Sequence, residues 1–205
     1  MNWQSIRVKS SIPVVMLGVS LLTVMLMFSS LISMQHRALE VQAENFLKAI
    51  SLVLNADRDA YQAKLATTHL LAGTGDPAAE RKDFDDNAAQ VKERFDQYLA
   101  LLKAYPDVTG RFSGFDAQFS RWQQSAMTLL DNQDAAQKDA LAAQEQTEFA
   151  ALRDVLDKAG EAALARSEQE QAELSSSIAT TKLWVYGLSF LLLIVAGWFS
   201  YQGPK

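Results

Sequence analysis

Two runs without a single ionisable side chain constrain this chain more than anything else in it. Ile12 to Met34 reads IPVVMLGVSLLTVMLMFSSLISM and Leu183 to Tyr201 reads LWVYGLSFLLLIVAGWFSY. Wound as α-helices they reach roughly 34 Å and 28 Å, against a hydrocarbon core of about 30 Å. Each is long enough to cross a bilayer once. Residues 35–182 are then expected on one side of the membrane and both chain ends on the other. A cleaved signal peptide is the rival for the first run, but its apolar core exceeds the usual length of about 7 to 15 residues and no Ala-x-Ala site follows it.

Lys and Arg near membrane ends resist export, whereas long loops cross largely regardless of charge. Residues 1–11 carry Arg7 and Lys9 and no acid, so this N-terminal segment is expected in the cytoplasm. Trp3 suits the headgroup region, although a plain tail accounts for this segment as well. The segment between the runs holds all 24 acidic residues and 16 of the 19 Lys and Arg, a net charge of −8. That is an ordinary aqueous surface and offers nucleic acid no attraction. The expected location is a bacterial inner membrane, crossed twice, with 35–182 in the periplasm and 202–205 as a cytoplasmic stub. Cysteine is absent, so an oxidising compartment imposes no disulfides and a zinc or redox site of cysteines is excluded.

The middle segment punctuates itself. From Gln35 to Ala72 there is neither Gly nor Pro, and Leu39, Ala43, Phe46, Ile50 and Val53 recur at alternating four and three residues, the spacing of a coiled-coil seam. A second stripe, Leu47, Leu54, Tyr61 and Leu65, widens the apolar surface enough for one stripe to face the domain core and the other a second subunit. Gly73-Thr74-Gly75-Asp76-Pro77 stops this helix. Phe84, Ala88, Val91, Phe95, Tyr98 and Leu102 line a second, ended by Pro106 to Gly110, and Phe112 to Leu130 gives a shorter third. After Asp131-Asn132-Gln133-Asp134 a fourth begins at Ala135, carries Phe149, Leu152, Leu156, Ala159 and Ala163 at heptad spacing, and runs on into the second apolar run. The expected fold is all-α: an up-down-up-down four-helix bundle whose first and last helices continue into the membrane, spans 12–34 and 183–201 flanking the domain 35–182.

Nothing here forms a catalytic constellation. His36 and His69 are the only histidines, roughly 50 Å apart on one helix, so they cannot share a metal. No Gly-rich phosphate loop and no G-x-S-x-G elbow occurs. No enzyme activity, metal or cofactor is expected.

Two spans bracketing about 150 helical residues, with Leu54-Asn55-Ala56-Asp57-Arg58-Asp59-Ala60-Tyr61-Gln62-Ala63 in the first helix, resemble the four-helix-bundle sensor region of bacterial methyl-accepting chemotaxis receptors. Sensor histidine kinases and diguanylate cyclases share that input module. The resemblance implies a parallel homodimer with its first helices adjacent, a small ligand bound near the membrane-distal end, and a piston-like shift of the fourth helix through the second span. It also implies a cytoplasmic signalling region, which this chain, ending at Lys205, does not contain. Trp198 and Tyr201 resemble the family's aromatic anchor at the inner membrane boundary.

The family's amino-acid receptors hold a carboxylate with several arginines on the first helix. Arg58 lies near the first of those positions, while the later ones are apolar, small or His69. Counting down from the two top turns sets 58–68 opposite 143–153, which gives a candidate site of Arg58, Tyr61, Gln62, Lys64 and Thr68 against Gln144, Thr147, Gln146 and Arg153. Its fixed cation favours an anionic or carboxylate-bearing small molecule. Asp57 and Asp59 offer the other reading, in which they neutralise Arg58 and the trio is a surface network. As a whole the sequence reads as a ligand sensor with transmembrane relay, the alternative being a structural two-span periplasmic scaffold that binds a partner protein.

Overall fold

A computed structural model describes residues 6–201. Trp3 and the expected stub 202–205 lie outside the described residues. Among these, every regular element is helical: α1 (Ile6–Val41), a π-helical turn (Gln42–Leu47), α2 (Lys48–Ala72), α3 (Pro77–Leu101), α4 (Pro106–Thr109), a 3₁₀ turn (Gly110–Phe112), α5 (Phe115–Asp131) and α6 (Ala135–Tyr201). The chain divides into two compact units, Val41–Glu168 and the remainder, 1–40 with 169–205.

The helix ends follow from local chemistry. Gly73 takes φ 66°, ψ 28°, and its N–H donates to the carbonyls of His69 and Leu70, closing α2 in the left-handed conformation that glycine enters without a Cβ penalty. The Asp76 carboxylate accepts the Ala78 N–H at 3.1 Å, and Pro77 in the first turn of α3 gives up only an amide that has no partner there. Asp134 accepts the Ala136 N–H at 2.9 Å and starts α6 in the same way.

Within 41–168 the core is asymmetric in residue size. α2 supplies a smooth face of alanines, Ala49, Ala56, Ala60 and Ala63, all fully buried, against which helices approach closely. The space is filled from the other helices by Phe84, Phe95, Tyr98, Phe115 and Trp122, none of them accessible beyond 1%. Phe95 and Phe115 stack with centroids 3.7 Å apart, and the Tyr98 hydroxyl donates to the Ala159 carbonyl at 2.9 Å. α6 closes the core with Phe149, Leu152, Leu156, Ala159 and Ala163. The stripe of Leu47, Leu54, Tyr61 and Leu65 stays uncovered, each residue between 48% and 66% exposed.

The seam read from sequence does not run straight along the first helix. Leu39 is 66% exposed and Ala43 is exposed, while Val41 packs against the core. The cause is the π turn, whose wider i→i+5 winding takes up one residue more than an α turn and moves the buried line by one position.

In the other unit, Leu31 and Val185 are buried, and Phe28, Leu31, Lys182, Val185 and Tyr186 enclose a small gap of about 30 Å³ between α1 and α6. Among the described residues two helices are long and apolar enough to cross a membrane, Val14–Ala72 and Ala135–Trp198. Only 6% of the most apolar window of each is buried within the chain, so their side chains present hydrocarbon outward. Trp198 and Tyr201 are 61% and 82% exposed.

Candidate functional site

The first half of the candidate site is set by the spacing of α2. Residues 57, 61, 64 and 68 fall three or four apart and share a face, one turn to the next. α6 runs alongside with the register expected from the turns. Asp57 takes a paired contact from Arg153, Nε to Oδ1 at 2.7 Å and a terminal nitrogen to Oδ2 at 3.2 Å. Tyr61 meets Phe149 edge-on at 5.5 Å, and the Arg153 guanidinium lies over the Tyr61 ring at 4.3 Å. Lys64 pairs with Glu145 and lies 5.6 Å from the centre of the Phe149 ring.

Two carboxylates decide the electrostatics. Asp59 has no accessible surface and is held from both sides, by Arg58 of its own helix at 2.8 Å and by Arg94 of α3. Arg94 has 28% of its side chain exposed and Arg58 has 55%. Arg58 is therefore both the ion-pair partner of a buried acid and a guanidinium that solvent reaches. Arg153 is held charged more firmly than an ordinary arginine, chiefly by its hydrogen bonds to Asp57; burial opposes this, and the charge of Asp57 adds to it.

The remaining candidates stand farther apart. Gln62 is exposed. Thr68 and Thr147 are exposed too, and their hydroxyls donate to their own helices, to Lys64 O and Ala143 O, each at 2.9 Å. Gln144 lines a cavity of about 220 Å³ between α5 and α6, with Arg121, Gln124, Ser125, Thr128 and Glu148. Gln118 ties the two helices together below it, donating to the Glu148 carbonyl at 3.1 Å and to its carboxylate at 3.0 Å, and accepts from Arg121. A larger depression of about 530 Å³ has walls from α5 and the residue that caps it, Ser120 to Asn132, so it is a surface rather than an enclosure. The structure thus joins Arg58, Tyr61 and Lys64 to one α2–α6 network and sets Gln144 in a separate polar groove.

Glu145 is the residue that sequence reasoning missed. It is fully buried, with Lys64 on one oxygen and no hydrogen-bond partner on the other, and the Trp122 Nε1 is buried without a partner as well. The signal was present: Glu145 stands four residues before Phe149, on the upward continuation of the apolar line Phe149, Leu152, Leu156. An acid on a core line needs a cation opposite it, and Lys64 is the one within reach.

Among the described residues no group of three or more His, Asp or Glu converges to hold a metal ion. His69 Nδ1 lies 3.1 Å from Glu80 Oε1, a link between the two sides of the turn. The chain matches no family model, no curated protein sequence and no solved structure.

Proposed function

We propose that the chain is the sensor module of a transmembrane receptor: a periplasmic up-down-up-down four-helix bundle, 35–182, carried on two membrane spans, that binds a small carboxylate-bearing molecule and passes its occupancy to a cytoplasmic signalling region. Chemotaxis is the output we favour. One observation carries this reading. A single unbroken helix, α6, holds both the polar residues 143–153 and the uncharged run 183–201, so a displacement along its axis at one end is delivered at the other.

The site in this reading is the α2–α6 face, with Arg58 as the cation that solvent reaches, Tyr61, Gln62, Lys64 and Thr68 as its neighbours, and Gln144 and Thr147 on the facing helix. Two copies pair in parallel through the uncovered α2 stripe. Trp198 and Tyr201 set the depth of the second span, in contact with lipid headgroups. Cytoplasmic ends follow from Arg7 and Lys9, and a reporter active only in the cytoplasm, inserted at Gly75, is expected to be silent.

The test is a ligand screen on the full chain in lipid nanodiscs, with amino acids, organic acids and inorganic anions. A ligand of the folded state raises the unfolding temperature by mass action, by about 2.7 kcal/mol in stability at a hundredfold excess over Kd. Arg58→Ala is expected to weaken the binding of any hit by about 1.5 to 3 kcal/mol, the scale of a charged hydrogen bond. Unchanged affinity with Arg58→Ala but loss with Arg121→Ala would move the site to the α5–α6 groove. No shift with any carboxylate or anion would sink the sensor reading.

A further inference from the structure

The seam between two helices of a packed bundle is ordinarily apolar. Between α5 and α6, beyond Gln118, it is polar instead. Arg121, Gln124, Ser125 and Thr128 share one face of α5, Gln144 and Glu148 lie one turn apart on α6, and together they enclose about 220 Å³ with no apolar side chain in the lining.

The hydrogen bonds of this lining are largely uncommitted. A helical threonine ordinarily turns its hydroxyl back on its own helix. Each of the other eight threonines of the chain donates to a main-chain carbonyl, whereas Thr128 makes no such bond among the described residues. Gln124 and Gln144 are exposed, and their amides make no hydrogen bond among the described residues either. Ser125 is 6% exposed and donates to the Trp122 carbonyl at 2.8 Å, so towards the groove its oxygen can only accept.

The two charges of the groove cancel. Arg121 Nε and Glu148 Oε2 are 3.5 Å apart, with 55% and 23% of their side chains exposed. Gln118 holds both, donating to the Glu148 carboxylate and accepting from Arg121. A partly exposed pair at that length is weak and opens at little cost.

We propose that the α5–α6 groove binds one uncharged, polyhydroxylated molecule of monosaccharide size. A hydroxyl donates and accepts at once, and this lining asks for both. One hydroxyl accepts from Arg121 while its neighbour donates to Glu148, and others meet Thr128, the two amides and the accepting Ser125 oxygen. A ligand carboxylate would be set against Glu148, and an ammonium against Arg121. The volume lies below the range of about 300 to 1,000 Å³ typical of drug-sized ligands, which gives room for a single ring. This site is separate from the carboxylate site on α2 and α6 and does not rest on the sensor reading.

The test uses the full chain in phosphatidylcholine nanodiscs, with empty nanodiscs as the blank, and saturation-transfer NMR with D-glucose, D-ribose and myo-inositol. Transfer to at least one of the three is expected from the chain and not from the blank. Thr128→Val keeps the shape and removes the hydroxyl, and is expected to weaken binding about three- to tenfold, the scale of one hydrogen bond; Gln144→Leu should do the same. Excess succinate should leave the signal unchanged. Both substituted residues are exposed, so neither change opens the core, and should one variant lose its helical circular dichroism the other decides. No transfer to any of the three, or transfer undiminished by the substitutions, would overturn the site. Displacement by succinate would overturn its preference for an uncharged ligand.

Discussion

Asp59 shows how a residue that reads as surface from its neighbours is turned into an internal charge by the fold. The run Asp57-Arg58-Asp59 suggests three exposed charges beside one another, yet Asp59 is fully buried, and the arginine that matters most to it is Arg94, 35 positions away. No local pattern carries that partner, because an ion pair between helices depends on their relative rotation. The two arginines should respond differently to removal. Arg58→Ala leaves Arg94 in place and is expected to cost less than about 1 kcal/mol, as for an exposed pair. Arg94→Ala leaves a buried carboxylate with only a solvent-exposed partner and is expected to cost about 1 to 3 kcal/mol, measured by urea unfolding. Tyr98 offers a second measurement at this scale. Burial raises its phenol well above the ordinary value of 10.0, and a nearby Arg111 opposes this only partly. The neutral form is thus favoured in the folded state, so its contribution is whole below pH 10.0 and falls away as the pH rises through the folded value. Tyr98→Phe should cost about 0.5 to 1.5 kcal/mol at neutral pH, for the lost bond to the Ala159 carbonyl, and should flatten the loss of stability above pH 10.0.

Helix boundaries were legible wherever the backbone itself imposes them. Gly73, Pro77 and the Asn132 to Asp134 turn end or start elements at the positions their chemistry dictates, since a left-handed φ, a missing amide and a capping carboxylate act within four residues. The π turn was not legible, because reading a seam by counting presumes one winding throughout. Ala43 fits the count and misses the core for that reason. The stop of α3 was expected at Pro106, but α3 ends at Leu101 and Pro106 instead opens the short α4; that helix and the 3₁₀ turn after it are tertiary, since Val108 and Phe112 are drawn into the core. Gly73→Ala tests the account of the α2 end. A Cβ there meets nothing within 4 Å, so the expected cost of about 1 kcal/mol is conformational, from holding an L-residue at φ 66°. At Gly75, by contrast, a Cβ would lie 2.7 Å from Glu80 Oε1 and displace the carboxylate from His69.

At the scale of the whole molecule the unanswered surface is the α2 stripe. Tyr61 is engaged by Phe149 and Arg153 along one edge, but Leu47, Leu54 and Leu65 stay more than half exposed in a single chain, and Leu47, Leu54 and Tyr61 recur every seven residues. A heptad repeat of exposed apolar residues is what a parallel helix pair covers, with each residue near the axis meeting its own copy. The second copy, if it takes that place, contributes its own Leu47 and Leu54 to positions the first leaves bare. Single cysteines at 47, 54 and 61 should then cross-link to themselves in membranes, while cysteines at 53, 56 and 60, directed into the core of each chain, should not. Leu54→Glu would set two carboxylates against each other at the axis and should abolish cross-linking through 47 and 61 while leaving the helical fold intact, because Leu54 is 66% exposed and lies outside the buried core. Cross-linking through the core positions instead, or through none of the six, would remove the two-fold pairing and leave the stripe to a different partner.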